Sequence, residues 1–154
     1  MKARYIYESL NEMNFERRKD PLGALGIGRR KMIEDWLDEM EIYNYIINDD
    51  LTIDIDDKHS DSVDLMHKGF KELPVFIQFG NVGSFYISHN ELQTLRGCPT
   101  YVQRTFSCQD NKLYSLDGCP KKVGETFKCG QNKKQFTEEY VRSLCDVKYV
   151  KLRY

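Results

Sequence analysis

From Phe85 onward the chain repeats one pattern of apolar and polar positions. Phe85-Tyr86-Ile87-Ser88-His89-Asn90-Glu91-Leu92 and Phe106-Ser107-Cys108-Gln109-Asp110-Asn111-Lys112-Leu113 superimpose at a shift of 21 residues, and the run from Phe127 through Cys129 to Asn132 repeats them at the same shift. A fixed period of this size predicts stacked units, because one such unit cannot bury its apolar face alone. Phe85, Phe106 and Phe127 alternate at period two with Ile87, Cys108 and Cys129, as on a strand whose odd positions face a core. Asn90, Asn111 and Asn132 are polar yet recur in register. They are expected to form a structural ladder, donating to backbone carbonyls that would otherwise be buried without partners. Leu92 with Leu95, and Leu113 with Leu116, supply a second apolar wall. Gly97 to Pro99 and Gly118 to Pro120 are expected to reverse the chain, glycine taking positive φ and proline presetting the turn. Val102 and Val123 then lead into the next strand.

The period extends both ways with decay. Val63-Asp64-Leu65, Lys68, Phe70 and Leu73-Pro74 fit an upstream unit at a shift of 22, with Lys68 in the asparagine slot. Downstream, Lys134 replaces the leucine and a helix is expected to follow. Thr137 is its N-cap, Glu138 and Glu139 suit the positive end, Phe136 and Val141 form a hydrophobic staple, and the end falls near Cys145. The tail Val147 to Leu152 reads as a last strand capping an open sheet edge. In the N-terminal third, Ile6, Leu10 and Met13 predict a short amphipathic helix, and Met32, Ile33, Trp36, Leu37 and Met40 a helix over 29–40. Tyr45-Ile46-Ile47, Asn48-Asp49-Asp50 and Leu51 to Ile55 predict a β-hairpin whose second strand pairs with the first rung. Three segments result: a helical and hairpin cap over 1–62, a solenoid over 63–135, and a helix-plus-strand cap over 136–154. The fold class is α+β, a short solenoid of leucine-rich-repeat type with a parallel strand face. A coil of about 21 residues is too short for a full outer helix, so the solenoid is expected to be flattened.

The remaining composition narrows the function. The 154 residues suit one domain, and a net charge of −1 with mixed signs gives no pull toward nucleic acid or membrane. No apolar run nears the roughly 20 residues of a bilayer span, and Met1 to Glu8 is too polar for a secretory signal, so a cytosolic protein is expected. Cys98, Cys108, Cys119, Cys129 and Cys145 are odd in number and lack CxxC spacing. They read as buried structural thiols, with like positions on neighbouring rungs close enough for oxidation to link. Gly23, Gly26 and Gly28 before Arg29 and Arg30 invite a phosphate-cradle reading. Without a preceding strand or a Gly-Lys-Ser/Thr, they read instead as a turn, and Arg17-Arg18-Lys19 as a solvated face. His59 stands apart. His67 and His89 share the rung offset, so they are expected to stack at the strand exits, where a nearby carboxylate would make a metal or acid–base candidate; chance proximity on the surface is the preferred reading. The acidic run Asp54, Asp56, Asp57, Asp61 and Asp64 lacks the glycine and terminal glutamate of a calcium loop. No catalytic residue, metal site or cofactor is expected.

Outward positions of the rungs carry Tyr86 and Ser88, Ser107 and Gln109, and Lys128 and Gly130. They change from coil to coil while the core positions do not, which suits a partner-binding surface made of Tyr86, Ser88, Ser107, Gln109 and Lys128, with Tyr86 as anchor. The combination of Asp20-Pro21, Leu25-Gly26-Ile27-Gly28, Trp36-Leu37-Asp38, Asn48 to Asp54 and repeated Leu-x-Gly-Cys-Pro resembles small leucine-rich-repeat proteins of tailed bacteriophages. The resemblance spans nearly the whole chain. Lys68 and Lys134 depart from its pattern. It implies a role inside an infected bacterium, in the host cytoplasm or on the virion. The function expected is a non-enzymatic module binding a host or phage protein through the strand face. The alternative is a virion or assembly component that self-associates through the repeat as a homo-oligomer.

Overall fold

The computed structural model describes residues 22–55 and 62–153. The expected helix at Ile6 to Met13, the Arg17-Arg18-Lys19 run, His59, and Asp56, Asp57 and Asp61 lie outside the described residues. Helix α1 (Leu22–Glu39) leads into a hairpin of β1 (Tyr45–Ile47) and β2 (Ile53–Ile55). Strands β3 (Ser62–Asp64), β4 (Asn81–Val82), β5 (Ser84–Tyr86), β6 (Tyr101–Val102), β7 (Thr105–Ser107) and β8 (Lys122–Lys128) follow. Helix α2 (Glu138–Leu144) and β9 (Asp146–Lys151) complete the chain.

Helix α1 starts earlier than the apolar stripe predicts, so Gly23, Gly26 and Gly28 lie inside a helix rather than in a turn before one. Each glycine costs about 1 kcal/mol relative to alanine in a helix interior. Tertiary packing carries the helix instead: Ile33, Trp36 and Leu37 are all but fully buried. This placement removes the phosphate-cradle reading, which needs the glycines ahead of the helix. The helix stops where Glu41 adopts φ 60° and the Ile42 N–H donates to the Leu37 carbonyl at 2.9 Å, a left-handed C-terminal turn.

The repeat folds as a parallel β-solenoid of about four turns. Each coil carries two short strands rather than one. In one ladder β3, β5, β7 and β8 pair in parallel, aligning Val63, Phe85, Phe106 and Phe127. In the other, β4, β6 and β8 align Val82, Val102 and Val123. Val102 and Val123 are thus strand residues themselves, and β8 is long enough to serve both ladders. The hairpin enters at the head of the second ladder, where Ile53 bridges Phe79 in parallel. The sequence led us to expect pairing with the first rung, β3, and the hairpin joins the other ladder instead. At the opposite end β9 pairs with β8, setting Val147 beside Val123 and Val150 beside Phe127.

The phenylalanines form one continuous interior stack. Ring centroids lie 5.1 Å apart for Phe79 and Phe85, 6.0 Å for Phe85 and Phe106, and 5.0 Å for Phe106 and Phe127. Trp36 of α1 packs 6.3 Å from both Phe70 and Phe79, joining the helix to the first coil. Burying one such ring stabilises the fold by about 2–3 kcal/mol, and stacking in offset or tilted geometry adds to it. Leu92, Leu95, Leu113 and Leu116 are completely buried as the opposite wall.

The asparagine ladder holds the turns between these walls. The Asn111 Nδ2 donates to the carbonyls of Ile87 and Cys108 at 3.1 Å and of Gln109 at 3.2 Å, and its Oδ1 accepts from the Leu92 N–H at 3.1 Å. Asn90 and Asn132 repeat the arrangement one coil before and after. In the imperfect rung, the backbone N–H of Lys68 and that of Phe70 both donate to the Asn90 Oδ1. The residue before each asparagine slot (His67, His89, Asp110 and Gln131) takes φ between 54° and 57°. A left-handed residue costs about 1–2 kcal/mol, which the asparagine bonds offset. Gly97 and Gly118 have φ 91° and 88°, and a Cβ on Gly118 would sit 2.6 Å from the backbone of Leu95 and Arg96.

The helix after the repeat forms as expected. The Thr137 Oγ1 accepts from the Tyr140 N–H at 3.1 Å, and Phe136 and Val141 are buried. The Leu116 N–H donates to the Tyr140 hydroxyl at 3.3 Å, which docks α2 on the last leucine turn.

Candidate functional site

The two-ladder architecture decides which side chains reach the surface. Across neighbouring strands Asp64, Tyr86, Ser107, Lys128 and Lys151 stand in one register column. Rungs lie about 4.8 Å apart, so a short side chain between two long ones is shielded by them. Ser107 sits between Tyr86 and Lys128 and is buried. Ser88 and Gln109 are buried too, against the expectation that both face a partner. The Ser88 and Ser107 hydroxyls satisfy each other at 2.6 Å, as buried polar groups require. Of the five expected contact residues only Tyr86 and Lys128 keep partial exposure. Alternation alone could not show this shielding. The size difference between register partners, legible as Tyr86–Ser107–Lys128 once the 21-residue offset is known, is the signal that could have found it.

At the turn edge, His67 and His89 stack with centroids 4.7 Å apart and planes 1° from parallel, as the shared rung offset led us to expect. Asp110, one rung on, brings its Oδ2 to 2.8 Å from the His89 Nδ1. All three occupy the left-handed position before the asparagine slot, so their alignment follows from the repeat itself. The pair orients one imidazole and could pass a proton. Among the described residues no group of three or more His, Cys, Asp or Glu side chains could hold a metal ion.

The five thiols are free. Burial pushes Cys119 up to about 11 and Cys129 and Cys145 up to about 12. It raises Cys98 and Cys108 further, each also disfavoured as an anion by a neighbouring thiol. Such groups are poor nucleophiles and poor ligands at neutral pH.

The two ends of the solenoid differ from its middle. At the N-terminal end a groove of about 470 Å³ runs beside β3, lined by Met40, Ile42, Tyr43, Ile55, Asp64 and Met66 among others. At the C-terminal end a groove of about 360 Å³ is lined by residues including Gln131, Phe136, Leu152 and Arg153. Tyr43 and Tyr149, 67% and 57% exposed, mark the two ends. The ends are the surfaces that the assembly alternative needs, and they follow from the stack and not from the alternation within a rung.

Among the described residues these features define a small parallel β-solenoid with two helices. Comparison with protein families, curated proteins and solved structures finds no match to this chain. Among the described residues no helix is long and apolar enough to cross a membrane.

Proposed function

We propose that the protein is a non-enzymatic interaction module whose solenoid presents a variable column to a protein partner. The observation that carries this reading is the contrast within one rung. The core positions stay aromatic or small and apolar, while the column Asp64, Tyr86, Ser107, Lys128 and Lys151 varies in charge and size along the stack. Positions released from packing are where a solenoid acquires specificity. Tyr86 and Lys128 are the contacts that retain reach, and an aromatic and a cation two rungs apart suit a protein surface. On the strength of the Leu-x-Gly-Cys-Pro repeats, the partner is a host or phage protein met in an infected bacterium. Affinity capture by the wild-type chain, compared with Tyr86→Ala and Lys128→Glu, tests the reading. A binder lost by both variants supports it, and capture unchanged by either removes the strand face from the account.

A second reading, an assembly subunit that self-associates through the repeat, is favoured by a separate observation. Among the described residues, β3 and β9 each pair on one side alone. Unpaired strand edges are natural sites for adding another chain.

A further inference from the structure

We infer that the outer edge of β9 takes an extended segment of a partner protein in which acidic and apolar residues alternate, added as one more rung. The inference extends the interaction-module reading to a second surface. It makes no use of Tyr86, so the two can fail separately.

Two apolar columns run along the stack. Val63, Phe85, Phe106 and Phe127 form one, and Leu65, Ile87, Cys108 and Cys129 the other, and all are at most 2% exposed. Strand β9 carries both columns one rung further. Val150 stands beside Phe127, Leu152 follows two residues on, and both are only half-buried. The stack therefore ends on an apolar pair covered from one side. The backbone is open at the same place. The Cys129 N–H donates to the Lys151 carbonyl at 3.1 Å, so the peptide groups of Lys151 face β8. Alternation along the strand then turns the Val150 N–H and C=O outward. Arg142 takes the carbonyl of Lys148, the preceding outward position. Among the described residues no strand pairs with β9 on this side.

Charge selects the occupant. From Lys121 onward nine basic side chains stand against four acidic ones, although the whole chain carries −1. Lys128 lies beside Lys151 in the register, and Arg153 is exposed two residues on. Lysines on an edge discourage pairing with a neutral or basic strand, and opposite charge reverses that preference. A second copy fits poorly. Its own β9 brings the same lysines, and its first coil is covered by α1, where Trp36 packs on Phe70 and Phe79. An alternating acidic strand meets both demands. Its apolar residues cover Val150 and Leu152, an acidic residue between them faces Lys151, and its main chain bonds Val150. The groove of about 360 Å³ lined by Leu152, Arg153 and Phe136 continues from this edge and gives room for the residues that follow.

Hydrogen exchange of the full chain, with and without a synthetic peptide of alternating glutamate and valine, tests the inference. Fluorescence anisotropy of the labelled peptide supplies the affinity. The Val150 amide is expected to exchange fast in the free chain and slowly with the peptide bound. Lys151→Glu should weaken binding at least about tenfold and bind the lysine–valine counterpart instead, which also shows that the variant folds. Val150→Pro removes the outward N–H without touching the pairing to β8 and should abolish protection. A Val150 amide already protected in the free chain means that the chain itself or a second copy holds the edge, and overturns the proposal. So does equal binding of a scrambled peptide of the same composition, tighter binding of an oligothymidylate, or no binding of the alternating peptide.

Discussion

Replacing Asn111 with alanine removes the central rung of the asparagine ladder, and the structure indicates what that costs. Each of the three carbonyls facing Nδ2 keeps a second donor: Ile87 has the Asn90 amide, Cys108 the Asn132 amide, and Gln109 the His89 N–H. The Leu92 N–H relies on the Asn111 Oδ1 as its acceptor, and the site is buried. A buried donor left without a partner costs about 1–3 kcal/mol, and each net hydrogen bond lost about 1 kcal/mol. The left-handed turn at Asp110 also loses the bonds that hold it. The sum is about 4–6 kcal/mol, a large share of the stability of a domain this size. Asn132 lies in the last coil and is only half-buried, so water can replace it and Asn132→Ala should cost about 1–2 kcal/mol. Urea unfolding of both variants measures the difference. An Asn111→Ala penalty below about 1 kcal/mol, or one no larger than that of Asn132→Ala, would refute the ladder argument. Asn111→Asp sharpens the test. A carboxylate facing carbonyls is disfavoured, so its folded pKa rises above the unfolded value. That variant should gain stability relative to the wild type as pH falls from 7 toward 4.

Two glycines in opposite settings predict opposite outcomes. Gly118→Ala forces a Cβ to 2.6 Å from backbone at φ 88° and should destabilise by about 2 kcal/mol or more. Gly28→Ala in α1, with nothing within 4 Å of the added Cβ, should stabilise by about 0.5–1 kcal/mol; thermal melts of the two decide. The thiols give a pH prediction. In the unfolded chain they ionise near about 8.5, whereas in the fold burial raises Cys119 to about 11 and Cys129 and Cys145 to about 12. Their stabilisation is therefore complete below the unfolded value and is lost as pH rises through the folded ones, by up to about 1.4 kcal/mol per pH unit for each thiol. Urea melts at pH 8 and pH 10 should show the fall. A flat profile, or fast modification in the native protein of thiols other than the partly buried Cys119, would contradict the burial.

The period of the repeat carried most of the fold into view. Phe85, Phe106 and Phe127, the asparagines, Gly97 and Gly118, Thr137 and the last strand each follow from local chemistry repeated in register, so they were legible. The start of α1 was not, because three glycines mask a helix that packing by Ile33, Trp36 and Leu37 sustains. The second ladder was missed since Val102 and Val123 mark it with one apolar position per coil, too few for an alternation. The strand face was half legible. Which positions leave the core follows from period two, but whether they reach solvent depends on the bulk of their neighbours in the adjoining rungs, and Ser88, Ser107 and Gln109 do not. The stacking of His67 on His89 followed from the offset alone.

The stacked interior is open to direct observation by nuclear Overhauser contacts among aromatic protons in the folded chain, together with exchange protection of the Asn111 side-chain amide. Contacts linking Phe85 to Phe106 and Phe106 to Phe127, with a slowly exchanging Asn111 amide, are the result expected of in-register coils. Rings without mutual contacts and an amide exchanging at the solvent rate would contradict the solenoid and every surface built on it.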